Sequence, residues 1–122
     1  MIGLQYSRAF HSGRNLHCFH ISLSKSGLHY TIIHPGGLKD TPGGKNDIAF
    51  DVDDKLRNGK KTSITRSDVA RLCVASLTTS NGRDASFDCV NIETEKDTAT
   101  FTAQEALSSF LEKDMVYDYS IN

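Results

Sequence analysis

The 122-residue sequence has no tryptophan, only two prolines, and no apolar run near the ~20 residues a membrane-crossing helix needs, so no membrane span is expected. Met1 to Leu16 carries Arg8, His11 and Arg14 where a secretory peptide would need an apolar centre, which argues against secretion. Charge of one sign is missing too. With 14 Lys+Arg against 15 Asp+Glu, the chain has neither a basic footprint for nucleic acid nor the acidic surplus of a disordered tail. Cysteine is sparse: Cys18, Cys73 and Cys89 make an odd set without a C-x-x-C, and each lies beside apolar residues. They read as reduced thiols in an intracellular protein, cytoplasmic by default. The length allows one domain with a modest core and excludes a two-domain enzyme.

What is present alternates between helix and strand signals. Residues 1–15 show no sustained period and read as an irregular lead-in. Leu16, Phe19 and Leu23 recur at helical spacing, and Gly27-Leu28 suits a helix C-terminus, so a helix is expected over about 15–26. Leu28 to His34 is rich in β-branched and aromatic residues, reads as a buried strand, and should be stopped by Pro35-Gly36-Gly37. Residues 38–61 are polar, with turn signals at Pro42-Gly43-Gly44 and Asn58-Gly59, and read as a loop excursion holding one short strand near 47–51. A further short strand is expected over 62–65. Ser67 or Asp68 can then cap a helix over 67–79 whose apolar face is Val69, Leu72, Cys73, Ser76 and Leu77. Ala85 to Ile92 alternates as a second main strand, and Thr102-Ala103-Gln104-Glu105 is a capping box opening a last helix with Leu107, Phe110 and Leu111 on its face. The order favours an α/β layer arrangement with parallel strands. Two main strands are few for such a sheet, and one edge of the Leu28–His34 strand has no evident partner later in the chain.

Three blocks carry a family signal: Ser26-Gly27-Leu28-His29-Tyr30-Thr31-Ile32-Ile33-His34-Pro35-Gly36-Gly37-Leu38, then Ser63-Ile64-Thr65-Arg66-Ser67-Asp68-Val69-Ala70, then Ser86-Phe87-Asp88-Cys89. In that order they resemble the C-terminal half of the atypical short-chain dehydrogenase/reductases, specifically the NmrA-like, NAD(P)-binding branch, over roughly residues 23–110. The resemblance implies a partial Rossmann-like fold, in which the chain is a single incomplete NAD(P)-binding-like domain. It also implies hydride transfer as the parent reaction and NADP or NAD as cofactor. The nicotinamide would lie beside His34, Pro35, Gly36, Gly37 and Leu38, next to a substrate pocket roofed by the 38–61 excursion.

The departures from the pattern concern catalysis. No G-x-G-x-x-G or G-x-x-G-x-x-G stands between a strand and a helix, so the turn that cradles a pyrophosphate is missing from the sequence. Nor is there a Tyr-x-x-x-Lys pair: Tyr6 is followed four residues on by Phe10 and Tyr30 by His34. His34 also replaces the arginine that the family carries before Pro-Gly-Gly, exchanging a permanent forked donor for a titratable one. No catalytic residue is therefore assigned, and the chain is expected to be inactive alone. The alternative is a non-catalytic binding or regulatory module that uses the unpaired strand edge to meet a partner or a second copy. No nucleic acid or membrane partner is expected, and the resemblance leaves a plastid location open.

Metal and nucleophile readings are weak. His17 and His20 flank Cys18 at helical spacing but lack a second ligand pair, and Asp51, Asp53 and Asp54 read as a solvated acidic loop. No metal site is expected. Cys73 and Cys89 read as core thiols, and Arg66-Ser67-Asp68 as a helix cap.

Overall fold

The computed structural model describes residues 2–4, 25–52, 63–79 and 84–114. Strand β1 (Ile2–Leu4) is followed by β2 (Thr31–Pro35), β3 (Gly37–Lys39), β4 (Asp47–Asp51) and β5 (Ser63–Thr65). Helix α1 (Arg66–Thr79), strand β6 (Ala85–Ile92) and helix α2 (Ala103–Leu111) complete the order. The main sheet runs β1-β2-β6-β4, and β3 pairs with β5 in a separate small sheet. β1, β2 and β6 are parallel, the register setting Ile33 opposite Phe87 and Pro35 opposite Cys89. The parallel three, with α1 between β2 and β6 and α2 following β6, give a partial Rossmann-like α/β fold.

Several expectations need correction. Ile2–Leu4 is a strand inside the supposed irregular lead-in, and it pairs with β2. With β6 on its other side, β2 is interior, so the edge expected to be open on the Leu28–His34 strand is filled. The strand also starts later than expected, at Thr31, because Leu28 is 55% exposed and the first buried position is Tyr30. Pro35-Gly36-Gly37 does not stop the chain's extension. Pro35 is the last residue of β2, Gly36 N donates to Cys89 O at 3.0 Å, and Gly37 opens β3. A proline is tolerated at a strand end, and the glycine amide after it keeps the ladder going. The 38–61 excursion holds two strands rather than one, and β4 runs antiparallel to β6, with Phe50 opposite Cys89.

The expected strands at 47–51 and 85–92 form as read, and so do the helices at 67–79 and after Thr102. The first of these helices, however, starts at Arg66 and is capped by Thr65, whose Oγ1 accepts from Asp68 N at 3.0 Å, rather than by Ser67 or Asp68. Thr102 Oγ1 accepts from Glu105 N at 3.1 Å, satisfying an otherwise orphan amide. The helix expected at 15–26 lies outside the described residues except for its end, where Gly27 has φ +75°, the left-handed conformation that suits a C-terminal glycine.

Strand alternation divides the sheet into two faces. On one, Ile33, Phe87 and Cys89 meet Val69, Leu72 and Ala75 of α1 and Leu107 and Phe110 of α2 in one buried core. Phe50, Phe87 and Phe110 form its aromatic centre, with centroids 5.3–5.7 Å apart. The other face carries Ile32 and His34 of β2 beside Ser86 and Asp88 of β6. On α1 the apolar face is narrower than the period suggests: Leu77 is 70% exposed and Val74 67%, while Asp68 and Ser76 are buried. Among the described residues no helix is long and apolar enough to cross a membrane.

Candidate functional site

The five residues His34 to Leu38 lie at the carboxyl end of β2, an interior parallel strand, which is where open α/β sheets bind ligands. They do not share one environment. His34 is 1% exposed, and its Nε2 is hydrogen-bonded to Ser86 Oγ at 2.9 Å across the strand pair. Burial lowers the imidazole pKa from 6.5 to about 4, so the ring is neutral at neutral pH. Pro35 is fully buried, Gly36 and Leu38 are half-buried, and Gly37 is exposed. His34 and Pro35 are closed off, so a ligand at this strand end would meet the Gly36–Gly37 main chain and Leu38 rather than the imidazole.

A second constellation forms where the excursion returns to the sheet. Asp68, 3% exposed, accepts from Gly44 N at 3.0 Å through Oδ1 and from Asn91 Nδ2 at 3.0 Å through Oδ2. Arg71 Nη1 lies 3.5 Å from the same Oδ1, and Asn91 Oδ1 accepts from Thr65 N at 2.9 Å. The 43–47 turn is also tied to the 94–101 loop. Gly44 O accepts from Ala99 N at 3.0 Å, and Asp47 Oδ1 accepts from Thr100 N at 2.8 Å and Phe101 N at 3.0 Å. Beside these ties lies a cleft of about 360 Å³, with Gly44, Asn46, Asp68, Arg71, Phe101 and Glu105 among its lining residues. The excursion thus does wall a cleft, but none of His34 to Leu38 lines it.

Asp68 was legible only as a helix cap; its reach to Gly44 and Asn91 was not. Arg71 stands three residues on, on the same helical face, and that spacing is the signal that could have found it. Phe101 gave no sequence signal.

The remaining candidates are placed as follows. Cys89 is buried, and burial with the neighbouring Asp88 charge pushes its thiol pKa well up; burial raises that of half-buried Cys73 too. Neither thiol is activated. Tyr30 is buried, its amide donating to Asp84 Oδ1 at 3.0 Å. Arg66 pairs on the surface with Asp40 at 2.6 Å. His11, His17, His20, Cys18, Asp53 and Asp54 lie outside the described residues, while Asp51 ends β4. Among the described residues no group of three His, Cys, Asp or Glu side chains could hold a metal ion.

The chain is 46% identical over 67 residues to the Arabidopsis thaliana chloroplastic protein High Chlorophyll Fluorescence Phenotype 173, 55% of this chain and 10% of that protein. It is 38% identical over 66 residues to sanguinarine reductase of Eschscholzia californica, 54% of this chain and 24% of the reductase. To the uncharacterized sugar epimerase YhfK of Bacillus subtilis it is 40% identical over 73 residues, 59% of this chain and 31% of that protein. The chain therefore spans a tenth to a third of the length of these relatives. A family model described as NAD(P)H-binding matches residues 18–80, just over half of the chain and including β2, the strand-end loop and α1. On that match the chain belongs to the NAD(P)H-binding family, with NAD or NADP as its cofactor class.

Proposed function

We propose that these 122 residues supply the nicotinamide-side part of an NAD(P)H-binding oxidoreductase domain, as one incomplete domain, and do not transfer hydride by themselves. The observation that carries this reading is the pairing of a strand end inside the family match, His34 to Leu38, with a sequence that holds no Gly-rich diphosphate motif. Dinucleotide-binding sheets hold the pyrophosphate at an uncapped helix N-terminus behind a Gly-rich turn. The two helix starts among the described residues are unsuited to it. Thr65 Oγ1 accepts from Asp68 N at 3.0 Å and Thr102 Oγ1 from Glu105 N at 3.1 Å, and each first turn carries an acid, Asp68 or Glu105. An anion brought there would displace a cap and face a carboxylate. Among the described residues neither helix start has room for the diphosphate, which leaves the strand-end loop as the part of a cofactor site they would supply.

The experiment is a titration of the purified chain with NADPH and NADH, followed by nicotinamide fluorescence, with an oxidation assay on quinone and aldehyde acceptors. The expected result is no saturation in the micromolar range and no turnover, since one backbone loop buries too little of a dinucleotide to offset the cost of ordering it. Micromolar binding with turnover would overturn the reading.

A second reading, a non-catalytic binding or regulatory module, draws support from the sheet ends. β1 is an end strand of the main sheet, with no strand on its outer side among the described residues, and such an edge can take a partner's strand or a second copy's. Light scattering across micromolar concentrations tests it: a constant monomer mass removes the self-association branch. The chloroplastic name of the Arabidopsis relative supports a plastid location for the protein carrying this domain, which imaging of a fluorescent fusion of the full gene product would check.

A further inference from the structure

The cleft between the 43–48 segment and the start of α2 is a built feature that the strand-end reading does not use. Its walls are held at both ends by main-chain ties: Asp68 Oδ1 and Ala99 N fix Gly44, and Asp47 Oδ1 fixes the amides of Thr100 and Phe101. Four ties across two loops mean that a ligand would meet walls already in place and would not have to order them. Gly44 has φ +78°, and a Cβ there would collide with the Arg71 guanidinium, so the glycine is what lets the arginine lie across the turn into the cleft.

The chemistry of the lining selects the ligand class. Phe101, 57% exposed, brings an aromatic ring to the lining. Around it stand a guanidinium (Arg71), a primary amide (Asn46), a carboxylate (Glu105) and the Thr100 hydroxyl, which together donate and accept in several directions. Asp68 and Arg71 offset one another, Asp68 already being held by Gly44 N and Asn91, and exposed Glu105 is left as a single carboxylate that repels an anion and, in solvent, holds a cation only weakly. A neutral ring with a C–H face for Phe101 and hydroxyls for the polar groups satisfies both halves of the wall. About 360 Å³ lies at the small end of ligand cavities, which fits one such ring.

We infer that this cleft is a binding site for a neutral polyhydroxylated ring, a monosaccharide or cyclic polyol, stacked on Phe101 and hydrogen-bonded by Arg71, Asn46 and Glu105. The inference stands apart from the nicotinamide reading, since none of His34 to Leu38 lines the cleft.

The test is an amide-shift NMR titration of the full chain with D-glucose, D-galactose and myo-inositol, with benzoate as an anionic control and tetramethylammonium as a cationic one. Saturable shifts centred on Gly44, Thr100 and Ala103 are expected for at least one of the three polyols, with benzoate and tetramethylammonium inert. Phe101→Ala and Arg71→Ala should each weaken that binding about tenfold, and Glu105→Gln, which keeps an acceptor, less. Both of the first two side chains are at least half exposed, so each variant should keep the wild-type amide spectrum elsewhere. The proposal is overturned if no polyol gives saturable shifts, if Phe101→Ala binds like wild type, or if benzoate alone binds. Because NADPH binding is measured separately, either result leaves the nicotinamide reading to its own experiment.

Discussion

The Asn91 side-chain amide donates to Asp68 Oδ2 at 3.0 Å while its carbonyl accepts from Thr65 N at 2.9 Å, so one residue of β6 holds both the acid of α1 and the strand that leads into it. Asp68 passes the connection on to Gly44 N at 3.0 Å. This chain joins the central sheet, the helix and the excursion at a buried point. Removing Asn91 strips a donor from the buried Asp68 carboxylate, which costs more than the net worth of the hydrogen bond, and removing Asp68 takes the acceptor from half-buried Asn91 and from Gly44 N. Asp68→Ala should lower stability by ~2–4 kcal/mol in urea unfolding, and Asn91→Ala by ~1–3 kcal/mol. The two losses should sum to less in the double variant than separately, because they share the Asn91–Asp68 bond.

Acid should weaken the fold through His34. The unfolded imidazole takes up its proton near 6.5, whereas burial lowers the folded value to about 4. Between those values the unfolded chain binds the extra proton, so the stabilisation is present above pH 6.5 and is lost as pH falls towards 4, by up to ~3 kcal/mol. Chemical denaturation at a series of pH values should show this slope. His34→Gln removes the titrating group and should flatten that part of the profile.

Phe87 is fully buried between Phe50, edge-on at 5.4 Å, and Phe110 at 5.7 Å. Truncating it leaves a cavity beneath both helices. Phe87→Ala should cost ~3–5 kcal/mol and Phe87→Leu markedly less, measured by urea unfolding with circular dichroism.

Gly43 and Gly44 should tolerate alanine poorly for different reasons. A Cβ on Gly43 would lie 2.7 Å from Ser67 Oγ and 2.8 Å from Asp68 Oδ1, at the start of α1. On Gly44 the left-handed φ of +78° opposes it, while the Arg71 guanidinium, at the end of a flexible side chain, has to swing aside. Each substitution should lower the stability by ~1–3 kcal/mol in thermal or urea melts, with Gly44→Ala also shifting the Arg71 side-chain signals in NMR spectra.

Thiol reactivity should separate the two described cysteines. Cys89 is fully buried with its pKa pushed well up, so it should react with a disulfide reagent only on the timescale of unfolding. Half-buried Cys73 should be modified slowly in the native protein. Mass mapping after timed labelling checks the order, and prompt labelling of Cys89 would contradict the core placement.

The elements that a local signal specifies were legible in the sequence. The alternation of Ala85 to Ile92, the capping box at Thr102 and the run of β-branched residues before Pro35 each describe a chemistry complete within a few residues. The blocks around His34, Asp68 and Phe87 also sufficed to mark the family. What the sequence could not decide was pairing. Whether β2 is an edge or an interior strand depends on β1, a partner about thirty residues earlier in the chain, and three residues carry too little pattern to announce a strand. The direction of β4, the burial of His34 and the meeting of Gly44, Asp68 and Asn91 follow from contacts between distant segments, and so does the cleft at Phe101. The sequence carried the longer strands, the two described helices and their order, and the lack of a Gly-rich diphosphate motif, but not β1 or β3, whose three residues each hold too little pattern. Which faces are covered follows from tertiary packing, because burial depends on what the rest of the chain lays across them.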